Sequence, residues 1–479
     1  MEYNQFDFGM IGLGVMGSNL LLNMADHGFS VIGYDTNPEK TKLLETSSKN
    51  DTKVKGVNHL VEMINYLKTP RKLMMLVPAG KPVDSVINEL KPLLQKGDII
   101  IDGGNSHYTD TLRRINELKD IGFHFMGIGI SGGEEGARKG PSIMPGGDKE
   151  AYEEVAPILK AVAAKVNDEP CVGYLGHGAA GHYVKMVHNG IEYAIMQLIS
   201  ECYDLMHHGL QLSNEELHQV FKEWDEGDMK SFLLEITATI FNKKDDKSDD
   251  YLVDRILDKA GAKGTGKWTS QSGLDLPMPI PNIDIAVTMR NLSGLIDERK
   301  EAASVYKTVT KKIEGDKKEI INQLRDAMWF ATLISYAQGL AMLNTASEDL
   351  KMDIPLKEVV SVWRGGCIIR SAMLDLFMKV FENSDSPGKG FKNILLDPNI
   401  AGLIQQKEAA IQNIVSIAAL NNYPAASLMA SLNYFNAYRR KLLPTNLVQA
   451  QRDYFGAHTY QRNDMVGIFH TEWEEKNEK

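Results

Sequence analysis

The chain has 479 residues, enough for about two to four domains with substantial cores. Its net charge of −10 disfavours contact with the phosphates of nucleic acids, so no nucleic-acid partner is expected. The 3 cysteines lie far apart along the chain, which predicts neither a disulfide framework nor a metal site and is typical of a cytoplasmic protein.

Five short apolar runs alternate with helical patterns in the first part of the chain. Each run ends in a turn that contains Gly, Pro or Asn, as expected for buried strands of a parallel sheet. The predicted strands are residues 6–11, 30–34, 72–77, 98–101 and 124–130. We therefore predict a Rossmann-type, doubly wound α/β domain over residues 1–179, with ligands at the carboxyl ends of its strands.

Long helical patterns replace the strands after about residue 180, and they predict a large all-α domain over residues 180–441. Residues 181–206 alone predict a long helix. The uncharged stretch 409–438 is interrupted by Asn421, Asn422 and Pro424, which favours two buried helices and no membrane span. Helical character is expected to end near Pro444, which leaves residues 442–479 as a C-terminal tail.

The first predicted βα turn carries a glycine pattern typical of dinucleotide binding. Gly12 permits a tight turn, Gly14 lets the backbone approach a pyrophosphate, and Gly17 lets the following helix pack against the strand. Free N–H groups at the start of that helix would face the phosphates. The candidate cofactor-binding residues of this turn are Gly12, Leu13, Gly14, Val15, Met16 and Gly17.

Asp35 ends the second predicted strand, where a carboxylate can bind both ribose hydroxyls of NAD and would repel the 2′-phosphate of NADP. Thr36 and Asn37 follow it and supply no positive charge. The sequence therefore favours NAD, although Lys40 or Arg71 could offset the missing charge. The alternative is that Asp35 is an ordinary turn residue or helix cap.

Two later segments also follow predicted strands. One is DGGNS at residues 102–106, which contains Asn105. In the other, 8 of the 21 residues from 127 to 147 are glycine, which predicts either a flexible loop or a backbone that approaches a ligand closely. Successive N–H groups at Ser131, Gly132 and Gly133 would suit a carboxylate.

Four polar residues recur at helical spacing within residues 181–193. The residues that share this face are Lys185, His188, Asn189 and Glu192. Lys185 and Glu192 would lie ~10 Å apart along the axis, so that a base and an acid could address different atoms of one substrate. Gly181 and Gly190 carry no side chains, so the helix is narrower at these positions, as close approach of a ligand would require. The alternative is a solvent-exposed charged face.

Together these segments resemble the decarboxylating 6-phosphogluconate dehydrogenases over essentially the whole chain. The matching stretches are GLGVMG (12–17), IIDGGNS (100–106), SGGEEGAR-GPS (131–142), GHYVKMVHNGIEY (181–193), KGTGKWT (263–269), WRGGCIIR (363–370) and LVQAQRDYFGAHTY (447–460). The resemblance implies oxidative decarboxylation of 6-phospho-D-gluconate to D-ribulose 5-phosphate and CO2, with reduction of NAD(P), in the pentose phosphate pathway.

The resemblance also implies a role for each candidate residue. Lys185 would accept the proton of the C3 hydroxyl, and Glu192 would protonate C1 of the enediol that remains after CO2 leaves, with no metal. The implied substrate-binding residues are Asn105, Ser131, Gly132, Gly133, His188, Asn189, Tyr193, Lys263, Thr265, Arg290, Arg452 and His458. The implied assembly is a homodimer in which the tail of one subunit carries Arg452 and His458 to the active site of the other.

The resemblance leaves the choice of cofactor to a few positions. The further cofactor-binding residues that it implies are Val77, Pro78, Ala79 and Asn105. NADP-specific members usually carry Asn-Arg-Thr where this chain has Asp-Thr-Asn at residues 35–37, and members commonly carry Lys where Pro78 stands. Because the arginine that would clamp a 2′-phosphate is absent, we predict that NAD is preferred over NADP.

Two alternative functions remain. The first is a 3-hydroxyacid dehydrogenase that acts on a different acid; Lys263, Arg290 and Arg452 argue against it, because they form a positive set suited to a phosphate dianion. The second is a non-catalytic dinucleotide-binding protein. Lys185 and Glu192 argue against that alternative, since a protein without catalysis has no physical reason to hold such a pair.

Overall fold

A computed structural model describes residues 5–307, 310–382 and 392–474. The chain forms two compact units, residues 1–431 and 432–479. The last residues of the predicted tail, 475–479, lie outside the described residues. The predicted functional division at residues 179 and 441 stays a prediction.

The first unit contains a seven-stranded sheet in the order β3-β2-β1-β4-β5-β6-β7. Strands β1 to β6 are parallel, and β7 pairs antiparallel with β6 at the edge. The strands are β1 (Phe8–Ile11), β2 (Val31–Tyr34), β3 (Val54–Val57), β4 (Lys72–Met75), β5 (Ile99–Asp102), β6 (His124–Ser131) and β7 (Ser142–Gly147). This order, with helices between the strands, confirms the predicted Rossmann-type domain.

The helices that connect and flank these strands are α1 (Val15–Asp26), α2 (Pro38–Thr46), α3 (Leu60–Tyr66), α4 (Lys81–Leu90), α5 (Tyr108–Lys119), α6 (Gly133–Lys139) and α7 (Lys149–Val162). Two apolar clusters lie within this region, one built on residues such as Phe8 and Met10 and the other on Ile11 and Ile32. Neighbours on β1 belong to different clusters, as expected where successive side chains point to opposite faces of a sheet.

All five predicted strands are present, and the sequence analysis missed β3, β7 and a short hairpin formed by β8 (Lys165–Val166) and β9 (Glu169–Pro170). Strand β3 reads VKGV and is an edge strand, so it lacks the continuous apolar run of a buried strand. Strand β7 reads SIMPGG, and its proline and glycines are typical of a loop. Pro145 is tolerated there because β7 is also an edge strand.

Helices dominate the rest of the first unit, as predicted. They are α8 (Ala180–Asp204), α9 (Asn214–Trp224), α10 (Phe232–Phe241), α11 (Thr265–Asp275), α12 (Pro281–Ser293), α13 (Ile296–Tyr306), α14 (Lys317–Asp349), α15 (Leu356–Trp363), α16 (Met373–Glu382), α17 (Pro398–Gln406), α18 (Glu408–Leu420) and α19 (Ala426–Tyr438), whose residues from 432 onward belong to the second unit. The last two confirm the predicted break at Asn421 and Pro424. Among the described helices, none combines the length and apolar character needed to cross a membrane.

The second unit corrects the expectation that helical character ends near Pro444. Helix α20 (Thr445–Gly456) begins immediately after this proline, which occupies its N-cap position. Proline interrupts a preceding helix but is well suited to the start of the next one. Within this unit the buried carboxylate of Asp453 accepts hydrogen bonds from the backbone N–H groups of Thr459 and Thr471 at 2.9 and 3.1 Å.

Candidate active site

The glycine turn after β1 has the geometry that dinucleotide binding requires. A Cβ on Gly12, whose φ is +93°, would lie 2.6 Å from the carbonyl oxygen of Leu76, and one on Gly17 would lie 2.0 Å from that of Gly12. A Cβ on Gly14 would meet no heavy atom within 4 Å. The backbone at Gly14 is therefore open to a ligand, and Gly14 is also the N-cap of α1, whose first N–H groups point outward from the sheet edge.

Asp35 is buried at the end of β2 and already has partners in the protein. Its Oδ2 accepts the N–H of Leu13 at 2.8 Å and lies 3.2 Å from Nζ of Lys40, while Oδ1 accepts the N–H of Asn37 at 2.9 Å. Burial alone would raise the pKa of Asp35, but these hydrogen bonds outweigh it and hold the pKa below its ordinary value. Asp35 therefore fixes the glycine turn, and its ionised carboxylate retains unused acceptor positions.

The other residues near Asp35 are less constrained. Thr36 is exposed, and the side chain of Asn37 accepts the N–H of Glu39 at 2.9 Å as the cap of α2. The suggestion that Arg71 could help to bind a 2′-phosphate is wrong. Arg71 precedes β4, at the amino end of the sheet, where its guanidinium pairs with Asp98 at 2.9 Å. The side chain of Arg71 therefore lies at the edge of the sheet opposite to the edge where ligands bind.

The turns after β4 and β5 lie beside the glycine turn. A Cβ on Gly12 would come within 3.1 Å of the Val77 side chain, and a Cβ on Gly104 would come within 3.3 Å of the Val77 carbonyl oxygen. Pro78 and Ala79 are exposed. Asn105 is exposed too, and its carboxamide has no hydrogen-bond partner among the described residues. The predicted cofactor positions therefore share one edge of the sheet.

Helix α8 places Lys185 in the interior, which excludes a solvent-exposed charged face. Lys185 is 7% exposed, and its Nζ has no hydrogen-bond or ion-pair partner within the part of the chain that the structure describes. Burial lowers the pKa of Lys185, partly opposed by the negative charge of Glu192. Burial raises the pKa of Glu192, partly opposed by Lys185 and Arg290. The pKa of Lys185 and the pKa of Glu192 are thus shifted toward each other, as expected of a base and an acid that act in one site.

A chain of hydrogen bonds links the polar residues beside Lys185. The ring of His188 is fully buried, with Nε2 3.4 Å from Oγ of Ser131 and Nδ1 3.0 Å from Oδ1 of Asn189. Asn189 in turn donates from Nδ2 to Oγ1 of Thr265 at 3.2 Å. Burial, and next the charge of Lys185, hold the pKa of His188 well below its ordinary value. His188 is therefore neutral, with an Nδ1–H donor and an Nε2 acceptor.

The candidate phosphate residues are Tyr193, near the middle of α8, and residues of α11, α12 and the segment before α11. The guanidinium carbon of Arg290 is 3.4 Å from the centroid of the Tyr193 ring, and its Nη1 donates to the carbonyl oxygen of Gly261 at 3.2 Å. A Cβ on Gly266 would lie 2.5 Å from that ring, so α11 packs directly on Tyr193. Lys263 is exposed, two residues before Thr265 at the start of α11.

The glycines around this site correct the reason proposed for them from sequence. A Cβ on Gly129 would lie 2.4 Å from Cβ of Lys185, and one on Gly146 would lie 2.1 Å from the backbone nitrogen of Gly181. Gly190 likewise meets the side chain of Thr269 at 2.8 Å. These glycines do allow a close approach, but the group that approaches is another part of the protein. Strands β6 and β7 pack on α8, and α11 packs on α8 from another side. Neither a flexible loop nor a ligand explains these glycines.

Gly132 and Gly133 lie directly beyond β6, at the start of α6, with φ of +120° and +64°. A Cβ on Gly132 would lie 2.6 Å from the carbonyl oxygen of Gly366, so the WRGGCIIR segment packs against this turn. Sequence reasoning gave no role to Trp363 in that segment, whose ring meets His188 edge-on at 5.8 Å between centroids. Gly365 and Gly366, which follow shortly after the tryptophan, were the sequence feature that could have indicated this close packing.

Arg452 and His458 belong to the second unit. Nη1 of Arg452 donates to Oε1 of Gln449 at 3.1 Å, and the ring of His458 lies edge-on to Phe455 at 5.8 Å between centroids. Their contact with substrate therefore stays a prediction. Within residues 5–307, 310–382 and 392–474 no group of three or more His, Cys, Asp or Glu side chains is arranged to hold a metal ion.

Comparison with known proteins identifies the family. Residues 181–473 match the model of the 6-phosphogluconate dehydrogenase C-terminal domain, and residues 7–176 match that of the NAD binding domain of 6-phosphogluconate dehydrogenase. A Bacillus subtilis (strain 168) relative, named 6-phosphogluconate dehydrogenase, NADP(+)-dependent, decarboxylating, is 49% identical over 468 residues, 97% of this chain and 98% of the relative. An Escherichia coli (strain K12) relative, named 6-phosphogluconate dehydrogenase, decarboxylating, is 48% identical over 467 residues, 97% and 98% of the two chains.

A solved structure agrees with these relatives. It is the 6-phosphogluconate dehydrogenase of Plasmodium falciparum, described in its apo form, in complex with its cofactor NADP+ and in complex with its substrate 6-phosphogluconate. It aligns with a TM-score of 0.94 and 43% identity over 98% of this chain and 100% of that chain. The chain described here therefore belongs to the 6-phosphogluconate dehydrogenase family.

Proposed function

We propose that this protein catalyses the oxidative decarboxylation of 6-phospho-D-gluconate to D-ribulose 5-phosphate and CO2, with NAD or NADP as the oxidant. The observation that carries the proposal is the buried Lys185 with a lowered pKa on the same helix face as Glu192, whose pKa is raised. The names of the relatives give the same reaction. Such an enzyme would work in the pentose phosphate pathway of the cytoplasm.

The first step is the oxidation at C3. The nicotinamide, when bound, accepts the hydride from C3. Neutral Lys185 takes the proton of the C3 hydroxyl, which is favoured because burial lowers the pKa of this lysine. The buried Nζ has no competing partner among the described residues and is free to bond the substrate oxygen. The open backbone at Gly14 supports a dinucleotide at the sheet edge beside it.

The second step is the loss of CO2 from the 3-keto acid. The bond between C1 and C2 breaks, and its electron pair moves toward the C3 oxygen to give an enediol. Protonated Lys185 stabilises the negative charge that develops on this oxygen. Glu192 then donates a proton to the former C2, which becomes C1 of ribulose 5-phosphate; the raised pKa of Glu192 supports this step because it favours the protonated carboxyl.

The remaining candidate residues hold the substrate. Backbone N–H groups at Ser131, Gly132 and Gly133 bind the carboxylate before CO2 leaves. Asn105, with an unpartnered carboxamide, and neutral His188, with Asn189, bind the hydroxyl groups of the chain. The residues around the phosphate are Tyr193, Lys263, Thr265 and Arg290 from one subunit, with Arg452 and His458 from the tail of the second subunit of a homodimer. The pocket is positive, which suits a phosphate dianion on an acidic protein.

The proposed cofactor is NAD in preference to NADP. Asp35 supports this preference because it is ionised and fixed at the ribose end of β2, while Thr36 offers no charge to a 2′-phosphate. The Bacillus subtilis relative is named NADP(+)-dependent, so this chain would depart from that relative. Lys40, 3.2 Å from Asp35, is the nearby cation that would favour NADP.

The test is the absorbance of reduced nicotinamide with 6-phosphogluconate, measured in parallel over a range of NAD and of NADP. We expect turnover that saturates at far lower NAD than NADP, and no turnover for Lys185→Met. Turnover mainly with NADP would keep the reaction and overturn the preference. An absence of turnover with either cofactor would reject the reaction, and unphosphorylated 3-hydroxy acids would then be tried.

The alternative substrate class has its own test. If Arg290 binds the phosphate, Arg290→Met should raise the KM for 6-phosphogluconate by about 100-fold or more, since it removes a charge-assisted contact. Arg299→Met is the control of equal charge change; Arg299 lies half-buried on α13, where its guanidinium pairs with Asp258 at 2.9 Å. Unchanged kinetics of Arg290→Met would favour a 3-hydroxyacid dehydrogenase for another acid.

A further inference from the structure

The guanidinium of Arg114 joins two turns at the carboxyl edge of the sheet. Arg114 lies on α5, and its side chain is 1% exposed. Its Nε donates to Oδ1 of Asp84 at 2.8 Å, and its Nη2 donates to the carbonyl oxygen of Gly80 at 3.0 Å. Its Nη1 lies 3.4 Å from Oδ2 of Asp102 and 3.5 Å from Oγ of Ser106. One buried group thus holds the start of α4 and the turn after β5.

The turn after β5 is shaped by the carboxylate that Arg114 contacts. Oδ1 of Asp102 accepts the N–H of Gly104 at 3.0 Å, and Oδ2 accepts the hydroxyl of Ser106 at 2.6 Å. Between these two residues stands Asn105, whose exposed carboxamide makes no hydrogen bond within the described residues. The buried network therefore supports the backbone on both sides of Asn105 while leaving its side chain free.

Both turns belong to the half of the sheet that receives the nicotinamide. In a Rossmann-type sheet of this order, β1 to β3 bind the adenosine half of a dinucleotide, and the strands on the other side of β1 bind the second half. Residues 77–80 follow β4, and residues 102–106 follow β5. Arg114 is the buried cation that connects them.

We propose that Arg114 is a positioning residue that fixes residues 77–80 relative to residues 102–106, and with them the place of the nicotinamide beside Asn105. The inference rests on the proposed function, because it assumes a nicotinamide dinucleotide. A planar guanidinium has five donors in fixed directions and can serve these four partners at once; the ammonium of lysine has three donors on a flexible stem.

The neighbouring Arg113 supplies a matched control. Its Nη2 donates to the same oxygen of Asp84 at 2.9 Å, and its Nη1 donates to Glu117 at 2.9 Å, but its side chain is 44% exposed. None of its hydrogen bonds within the described residues reaches Gly80 or the turn after β5. Arg113→Lys therefore changes the same residue type on the same helix without affecting the connection between the turns.

The experiment compares Arg114→Lys and Arg113→Lys with the natural protein. We measure the Kd of NAD and of ADP-ribose, which lacks the nicotinamide, by calorimetry, and then kcat and the KM for NAD with 6-phosphogluconate. For Arg114→Lys we expect about tenfold weaker NAD binding and a fall in kcat of about tenfold or more, because a small misplacement of the ring is costly. The Kd of ADP-ribose should stay within about twofold, and Arg113→Lys should resemble the natural protein.

Two results would overturn the inference: natural values for Arg114→Lys, or equal weakening of NAD and ADP-ribose binding, which would indicate a role in stability alone. If Arg114→Lys does not fold, Asp84→Asn replaces it. That variant leaves Arg114 paired with Asp102 and loosens only the start of α4, and the same ratio of the two Kd values decides. The ratio needs no turnover, so an inactive natural protein would reject the proposed reaction without touching this inference.

Discussion

Gly129 on β6 and Lys185 on α8 are in such close contact that a Cβ at position 129 would lie 2.4 Å from Cβ of the lysine. No real pair of side chains occupies that separation, so glycine at 129 is a condition for the position of Lys185. The proposed base is thus placed by a strand that is more than fifty residues away in sequence.

Gly129→Ala should therefore displace Lys185. We expect kcat to fall by about 100-fold with a smaller change in the KM for 6-phosphogluconate, because the base is moved while most binding contacts stay. Overpacking should also destabilise the fold by about 1–3 kcal/mol. The measurement is steady-state kinetics together with the thermal midpoint.

Gly402→Ala is the control for the first variant. Gly402 lies within α17, and a Cβ there would meet no heavy atom within 4 Å. Its kcat and KM should equal those of the natural protein. Its thermal midpoint should be equal or slightly higher, since alanine is favoured in a helix. A Gly129→Ala enzyme with natural kcat would show that Lys185 does not need this packing.

The dependence of kcat/KM on pH should be bell-shaped. Activity requires neutral Lys185, so it should fall toward low pH, where this lysine is protonated. It also requires protonated Glu192, so it should fall toward high pH, where this carboxyl is ionised. The measurement is the profile for each of the two cofactors.

Glu192→Gln should alter that profile in a defined direction. The variant has no carboxyl to titrate at this position, so the fall of kcat/KM at high pH should disappear and the profile should rise to a plateau as Lys185 loses its proton. The loss of the acid should also lower kcat by about 100-fold or more. A profile that stays bell-shaped would mean that Glu192 is not the acid.

The cofactor preference should reverse when the turn after β2 is changed. Asp35→Asn removes the charge that repels a 2′-phosphate, and Thr36→Arg supplies a guanidinium that can bind it. The double variant should gain about tenfold or more in kcat/KM for NADP relative to NAD. Each single variant serves as a control for the other change. An unaltered ratio would locate the preference elsewhere in the cofactor site.

Glu201 should make the stability of the fold depend on pH. Burial raises the pKa of this carboxyl to about 7, although it accepts the N–H groups of Ser427 and Leu428 at 2.8 and 3.0 Å. Because the folded value exceeds the ordinary 4.5, the contribution of Glu201 to stability is complete at low pH and is lost as the pH rises through about 7.

Glu201→Gln removes this titration and should test it. The difference in thermal midpoint between the variant and the natural protein should change in favour of the variant by a few degrees between about pH 5 and pH 8. This corresponds to about one to two kcal/mol in the free energy of unfolding. Glu223→Gln, at an exposed position of α9, is the control and should give a constant difference. A constant difference for Glu201→Gln as well would mean that Glu201 does not titrate in this range.

The class of the fold and most of the candidate site residues could be predicted from local patterns in the sequence. Apolar runs of strand length, the GLGVMG turn and the helical spacing from Lys185 to Glu192 are local patterns, and each appears in the structure where the pattern predicted it. Local signals failed at β3, β7 and α20. Strand β3 lies at an edge, β7 contains a proline and two glycines, and α20 begins directly after a proline. None of the three shows the apolar periodicity by which elements are recognised.

Only the tertiary structure decided which neighbours these residues meet. The burial that lowers the pKa of Lys185, the contact of His188 with Ser131 and the contact of Asn189 with Thr265 join segments far apart in the chain. The same holds for Gly129 against Lys185. Desolvation and close packing depend on what surrounds a residue in space, whereas spacing along the chain reports only which face of a helix or strand it occupies.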